Sequence, residues 1–196
     1  MNANGREVAG VRKCLNWLGS GWRPPVLLAV FLLAYVCITV KPYGTMAVNA
    51  YGGLLDMKMG LSPAGVYQAL DALGEQGRQA HRTLTVWLDT PFPAAYALFY
   101  TACIALFLRR AGRLGGKLSL LCALPWLAAL FDWTENILVL TLLQSYPAQH
   151  MAAAGALGIC TAVKFAFNGL SVAAILAALI LSIFSALSAR KLAVRA

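Results

Sequence analysis

The chain has 196 residues, of which 60% are hydrophobic and only 12% charged, with mean hydropathy +0.70 and formal net charge +9. A soluble domain is about half apolar and a quarter charged, so this composition excludes an ordinary soluble globular protein and points to one domain in lipid. The positive charge lies in short clusters beside apolar stretches, which reads against a nucleic-acid partner and for a membrane surface.

Arg6, Arg12, Lys13 and Arg23 make a basic N-terminal arm with one acid, Glu7. The first expected span covers about 25–42, around "VLLAVFLLAYVCITV". The "TVKPYGTMA" that follows lacks a clear small-x-small cleavage pattern, so the span reads as retained rather than as a signal peptide. Residues 43–91 are too long for a plain connector and predict a helical outer loop. In "SPAGVYQALDALG", Ser62 is a cap, Pro63 a first helical residue and Gly74 a stop. Val66, Leu70 and Leu73 form its apolar stripe. In "GRQAHRTLTVWLD", Arg78, Arg82, Thr85 and Asp89 fall on one helix face with His81 beside it. That face is either a solvated surface or a cationic lid. Trp87 suits an interfacial anchor.

The second expected span covers 92–109 and carries Tyr96 and Tyr100 one turn apart, as an aromatic belt or as site walls. Arg109, Arg110, Arg113 and Lys117 follow it. The third span, 118–143, holds "FDWTENILV". In a helix Asp132, Glu135 and Asn136 share one face. Ionisable side chains inside a bilayer cost at least ~2.5–3.5 kcal/mol and face the bundle interior or water. At 1.5 Å per residue from Lys117, Asp132 lies ~22 Å and Glu135 ~27 Å across a core ~30 Å thick, in the outer leaflet. Two acids so close should share one proton unless a cation compensates. The fourth span, 155–188, carries Lys164, with Thr161 and Asn168 on its face, and a small-residue stripe at Gly169, Ala173 and Ala177 for helix packing. Lys164 from this span and Arg78 or Arg82 from the loop compete as partner of the acids.

With Arg190, Lys191 and Arg195 after the fourth span, the three basic segments hold eleven of the sixteen Lys and Arg. This places both termini and the 109–117 loop in the cytoplasm, and the fold class is an all-α bundle of four transmembrane helices running up and down. The five cysteines include no Cys-x-x-Cys pair, which argues against thiol exchange.

"LGEQGR", "LDTPFPAAYALFY" and "FDWTEN", with a later Lys in the last span, resemble small bacterial four-helix integral membrane proteins of unassigned activity. The resemblance covers about Leu73 to Lys164. It implies that Arg78, Asp89, Asp132, Glu135, Asn136 and Lys164 belong to one constellation, and it carries no activity.

The expected function is an outer-leaflet site that binds or processes a lipophilic or cationic small molecule. Asp132 and Glu135 are the candidate acid/base pair. Asn136, Lys164, Asn168, Arg78, Arg82, Asp89, Tyr96, Tyr100 and Trp133 are candidate ligand contacts, and Trp126 a further wall. No motif for a metal or cofactor is present, so none is expected. The alternative is an accessory subunit whose acids only hold helices together. Expected partners are membrane lipids, a lipophilic ligand, and a second copy or a larger membrane complex, in a bacterial inner membrane.

Overall fold

The computed structural model describes residues 3–40 and 43–195, and the side chains of 9–40 and 43–191. The side chains of Arg6, Glu7 and Arg195, which enter the charge count, and the last residues of the first expected span, Lys41 and Pro42, lie outside these descriptions.

All secondary structure among the described residues is helical. The helices are α1 (Ala3–Leu18), α2 (Arg23–Thr39), α3 (Thr45–Asn49), α4 (Pro63–Leu84), α5 (Phe92–Arg110), α6 (Leu124–Ser145) and α7 (Met151–Arg195). Proline sits in the first turn of α2, α4, α5 and α6, where its missing N–H has no partner to lose. Ser62 caps α4 by accepting from Gly65 N at 3.1 Å. Gly74 breaks α4 at φ 62°, a left-handed conformation that glycine adopts without a Cβ penalty.

Three helical stretches are long and apolar enough to cross a membrane: Pro63–Arg110, Lys117–Ser145 and Met151–Lys191. A fourth arises if Ala9–Leu18 and Arg23–Thr39, bent by 72° from one another, count as one span. The bend is at Gly19–Gly21. Gly19 lies so close to α5 that a Cβ there would sit 2.6 Å from the Leu106 nitrogen.

The element bounds differ from the sequence expectation in three places. The N-terminal arm is a helix, because Leu15 and Leu18 bury themselves and Leu15 joins Ile104 and Leu108 of α5. The third apolar stretch begins as a 3₁₀ segment, Lys117–Ala123, before α6 starts at Leu124. The last helix begins at Met151 and is 45 residues long, about 67 Å at 1.5 Å per residue.

Helices α5, α6 and α7 pack against one another, and α2 lies on α5. At one end Leu15, Ile104, Leu108, Leu114, Ala174 and Ala178 form an apolar cluster. At the other end Val66, Leu70, Val139, Leu142 and Leu157 form a second, in which α4 covers the α6–α7 hairpin. Between them Tyr96 and Ala97 meet Ala128 and Ala129, small residues that let α5 and α6 approach. The expected packing stripe of α7 does not face the bundle. Gly169, Ala173 and Ala177 are exposed, and Ser171, Ala174 and Ala178 face inward, because the helix is rotated to bury Leu157, Thr161 and Lys164.

Candidate functional site

The polar residues of the apolar helices meet in one place. On α6 the 3.6-residue period turns Asp132, Glu135 and Asn136 inward, with exposures of 5%, 0% and 3%. On α7 Thr161 and Lys164 turn toward them, both buried. The Lys164 ammonium pairs with Glu135 Oε2, and lies 3.6 Å from Asp132 Oδ1 and 4.0 Å from Asp56 Oδ2. Thr161 Oγ1 contacts Glu135 Oε1 and lies 2.9 Å from the Leu157 carbonyl. Tyr96 of α5 donates to Asp132 Oδ2 at 3.1 Å, which buries its ring and phenol at a bundle interface rather than in an aromatic belt.

Register explains why Lys164 reaches the acids. Counting from the far end of α7 puts it well above them, but α7 is longer than a single span requires. Counted from the α6–α7 turn, Glu135 is ten residues before Ser145 and Lys164 thirteen after Met151, about 15 and 20 Å from that turn. An antiparallel pair sharing one turn therefore brings them level.

The 43–91 segment adds two acids. Asp89 ends a π-helical turn, Thr85–Asp89, that follows α4, and it is buried. Such turns re-aim side chains and recur at functional sites. Trp133 Nε1 donates to the Thr90 carbonyl at 2.9 Å and ties this turn to α6. Asp56 sits in a 3₁₀ turn, Leu55–Met57, also buried. His81 holds that turn: Leu55 N donates to His81 Nε2 at 3.1 Å, and His81 Nδ1 lies 3.1 Å from Thr85 Oγ1. An Nε2 that accepts leaves the proton on Nδ1, so this imidazole is neutral and Thr85 Oγ1, which donates onward to the His81 carbonyl, accepts from it.

A cavity of about 460 Å³ opens onto this cluster, within the usual range for small-molecule sites. Asp56, Asp89, Asp132 and Lys164 are the charged residues of its lining. Phe31, Tyr35, Phe92, Tyr100 and Phe165 form its apolar wall. Phe31 anchors that wall, with ring centroids 6.0 Å from Phe92, 5.2 Å from Phe99 and 5.9 Å from Tyr100. Among the described residues no group of three His, Cys, Asp or Glu side chains converges to hold a metal ion.

Of the candidate site residues, Asp89, Tyr96, Tyr100, Asp132, Lys164 and Asn168 border the cavity. Asn168 also donates to the Lys164 carbonyl at 3.3 Å. Glu135 sits behind Lys164, fully buried, so only Asp132 of the acid pair faces the space. Asn136 is buried off the cavity, and neither end of its amide has a hydrogen-bond partner among the described residues. Trp133 acts on the π turn rather than on the cavity, and Trp126 is exposed. Arg78 and Arg82 do not reach the acids. Arg78 donates to the Leu70 carbonyl at 2.9 Å and lies 4.0 Å over the Tyr146 ring. Arg82 is exposed. The helix buries Leu73, Gly77, His81 and Leu84, and that rotation carries His81 inward and Arg82 outward. Asp56 was legible only as an acid flanked by Leu54, Leu55 and Met57 in a glycine-rich loop, a mark that it is held against an apolar surface.

Comparison with protein-family models, with curated proteins and with solved structures finds no match to this chain.

Proposed function

We propose that the chain is a four-span integral membrane protein of a bacterial inner membrane, with both termini and the 109–117 loop cytoplasmic, whose cavity binds a lipophilic small molecule in the outer leaflet. The observation that carries this reading is the cavity itself. Buried carboxylates and an ammonium line it together with aromatic rings, which suits a molecule with a polar head and an apolar body. The threading is supported by charge. Arg12 lies against Gly115, so the basic N-terminal helix and the basic 109–117 loop meet at one end of the bundle, and α4 covers the other.

In this reading Asp132 is the group that meets the ligand. Tyr96 and Lys164 hold its two oxygens, so it is oriented and able to exchange a proton with a bound head group. Glu135 is a positioning residue: it fixes the Lys164 ammonium, with Thr161 on its other oxygen. The test is native mass spectrometry of the protein purified gently in lipid nanodiscs. The parent protein is expected to retain a small molecule that Asp132→Asn, folded and equally stable, releases. Equal retention by both would remove the cavity as the binding site.

The exposed face of α7 that carries Gly169, Ala173 and Ala177 favours a second reading, an accessory subunit docked on a partner helix in a larger complex or on a second copy. That reading expects a partner chain to copurify, and expects its loss in Gly169→Leu.

A further inference from the structure

We propose that the head group taken by this cavity is a protonated primary amine, carried by an amphiphile whose apolar body lies on the aromatic wall. The proposal rests on the reading of the cavity as a ligand site and adds the chemical class of the ligand.

Three carboxylates on three separate elements border the cavity: Asp56 on the 3₁₀ turn, Asp89 on the π turn and Asp132 on α6. Each is more than nine-tenths buried. Two of them have a buried oxygen with no hydrogen-bond partner among the described residues, Oδ1 of Asp56 and Oδ2 of Asp89, while Oδ1 of Asp132 has only the shared Lys164 ammonium at 3.6 Å. A buried acceptor left without a donor is costly, and more so when charged. With Glu135 there are four carboxylates, and Lys164 is the only ammonium or guanidinium among the described residues within 4.0 Å of any of them. Its nearest partner is Glu135, behind the cavity wall. His81, 3.7 Å from Asp56, adds no positive charge, since its Nε2 accepts from Leu55 N.

An ammonium head answers this arrangement. It brings one positive charge and three N–H donors to a space bordered by three buried carboxylates. A carboxylate or phosphate head would face three acids and be repelled. A hydroxyl head carries one donor and no charge. Phe31, Tyr35 and Tyr100 cover the body of the ligand.

The experiment uses the full chain in phosphatidylcholine nanodiscs near neutral pH. Four probes share a twelve-carbon chain: dodecylammonium, dodecyltrimethylammonium, dodecanol and dodecanoate. Binding is read by native mass spectrometry over a concentration series. Dodecylammonium is expected to bind at least about tenfold more tightly than dodecanol or dodecanoate, and more tightly than the trimethyl head, which has charge but no donors. Asp56→Asn and Asp89→Asn are each expected to weaken dodecylammonium about tenfold or more while leaving the unfolding temperature unchanged or higher. Two variants on different elements guard against one of them misfolding. Equal binding of dodecanol or dodecanoate would overturn the amine assignment and leave the cavity as a ligand site. Absence of binding by every probe would overturn both.

Discussion

Lys164 carries the heaviest electrostatic duty of any residue in the bundle. It is 6% exposed and its ammonium is shared among Glu135, Asp132 and Asp56. Removing one partner of a buried ion pair leaves an uncompensated charge and costs about 3–5 kcal/mol. Lys164→Met is therefore expected to lower stability by about that amount, measured by unfolding in detergent. Glu135→Gln removes the paired charge, so the double variant Lys164→Met with Glu135→Gln is expected to lose clearly less than the sum of the singles. Additive losses would show that the two groups do not interact. Asp132→Asn keeps the shape of the side chain and a group able to accept from Tyr96, so it is expected to change stability by less than Lys164→Met does.

At the scale of elements, the 43–91 segment is pinned to the bundle by a few specific contacts. The Leu55–Met57 turn hangs on His81 through the Leu55 amide. His81→Ala removes that acceptor, and amide exchange at Leu55 and Asp56 is expected to accelerate relative to α6; unchanged exchange would mean that another contact holds the turn. Arg78 and Asp71 hold the α6–α7 turn from the other side, one over the Tyr146 ring and one at its hydroxyl. The hydrogen bond to the Asp71 carboxylate pushes the Tyr146 phenol above its ordinary range. The α1–α2 bend depends on Gly19, where a Cβ would meet α5 backbone at 2.6 and 2.7 Å. Backbone cannot swing aside as a side chain can, so Gly19→Ala is expected to destabilise by about 1–3 kcal/mol, read as a lower unfolding temperature. An unchanged midpoint would show that the bend relaxes freely.

At the scale of the whole molecule, apolar surface and charge are sorted by position. Leu170, Leu176, Ile180, Ile183 and Phe184 of α7 and Val30, Leu33 and Val36 of α2 are exposed, an outward surface suited to lipid. The proposed threading makes a direct forecast. Cysteines placed at Gln76 and Ala148, both exposed, are expected to react with an impermeant thiol reagent in intact cells, in a background without reactive native thiols. A cysteine at Gly116 is expected to react only after lysis. The reverse pattern would invert the topology and place the cavity toward the cytoplasm.

The sequence by itself determined the properties that local rules control. Composition marks apolar helices, because a backbone in lipid must satisfy its own hydrogen bonds. The 3.6-residue period puts Asp132, Glu135 and Asn136 on one face whatever surrounds them. Ser62 and Gly74 act on α4 through capping and through glycine's access to positive φ, both local effects. Only the tertiary structure decided what those faces meet. Whether Lys164, Arg78 or Arg82 answers the acids depends on the register of α7 against α6 and on the rotation of α4, which are set by packing between distant segments. The same long-range packing brings Asp56 from the loop into the cluster and sets Glu135 behind Lys164 while Asp132 faces the cavity. It also turns Gly169, Ala173 and Ala177 outward, since burying Leu157, Thr161 and Lys164 fixes which side of α7 is inside. Hydrophobic periodicity carries no information on these choices, because helices that are apolar on every side can rotate or slide against one another with little change in pattern.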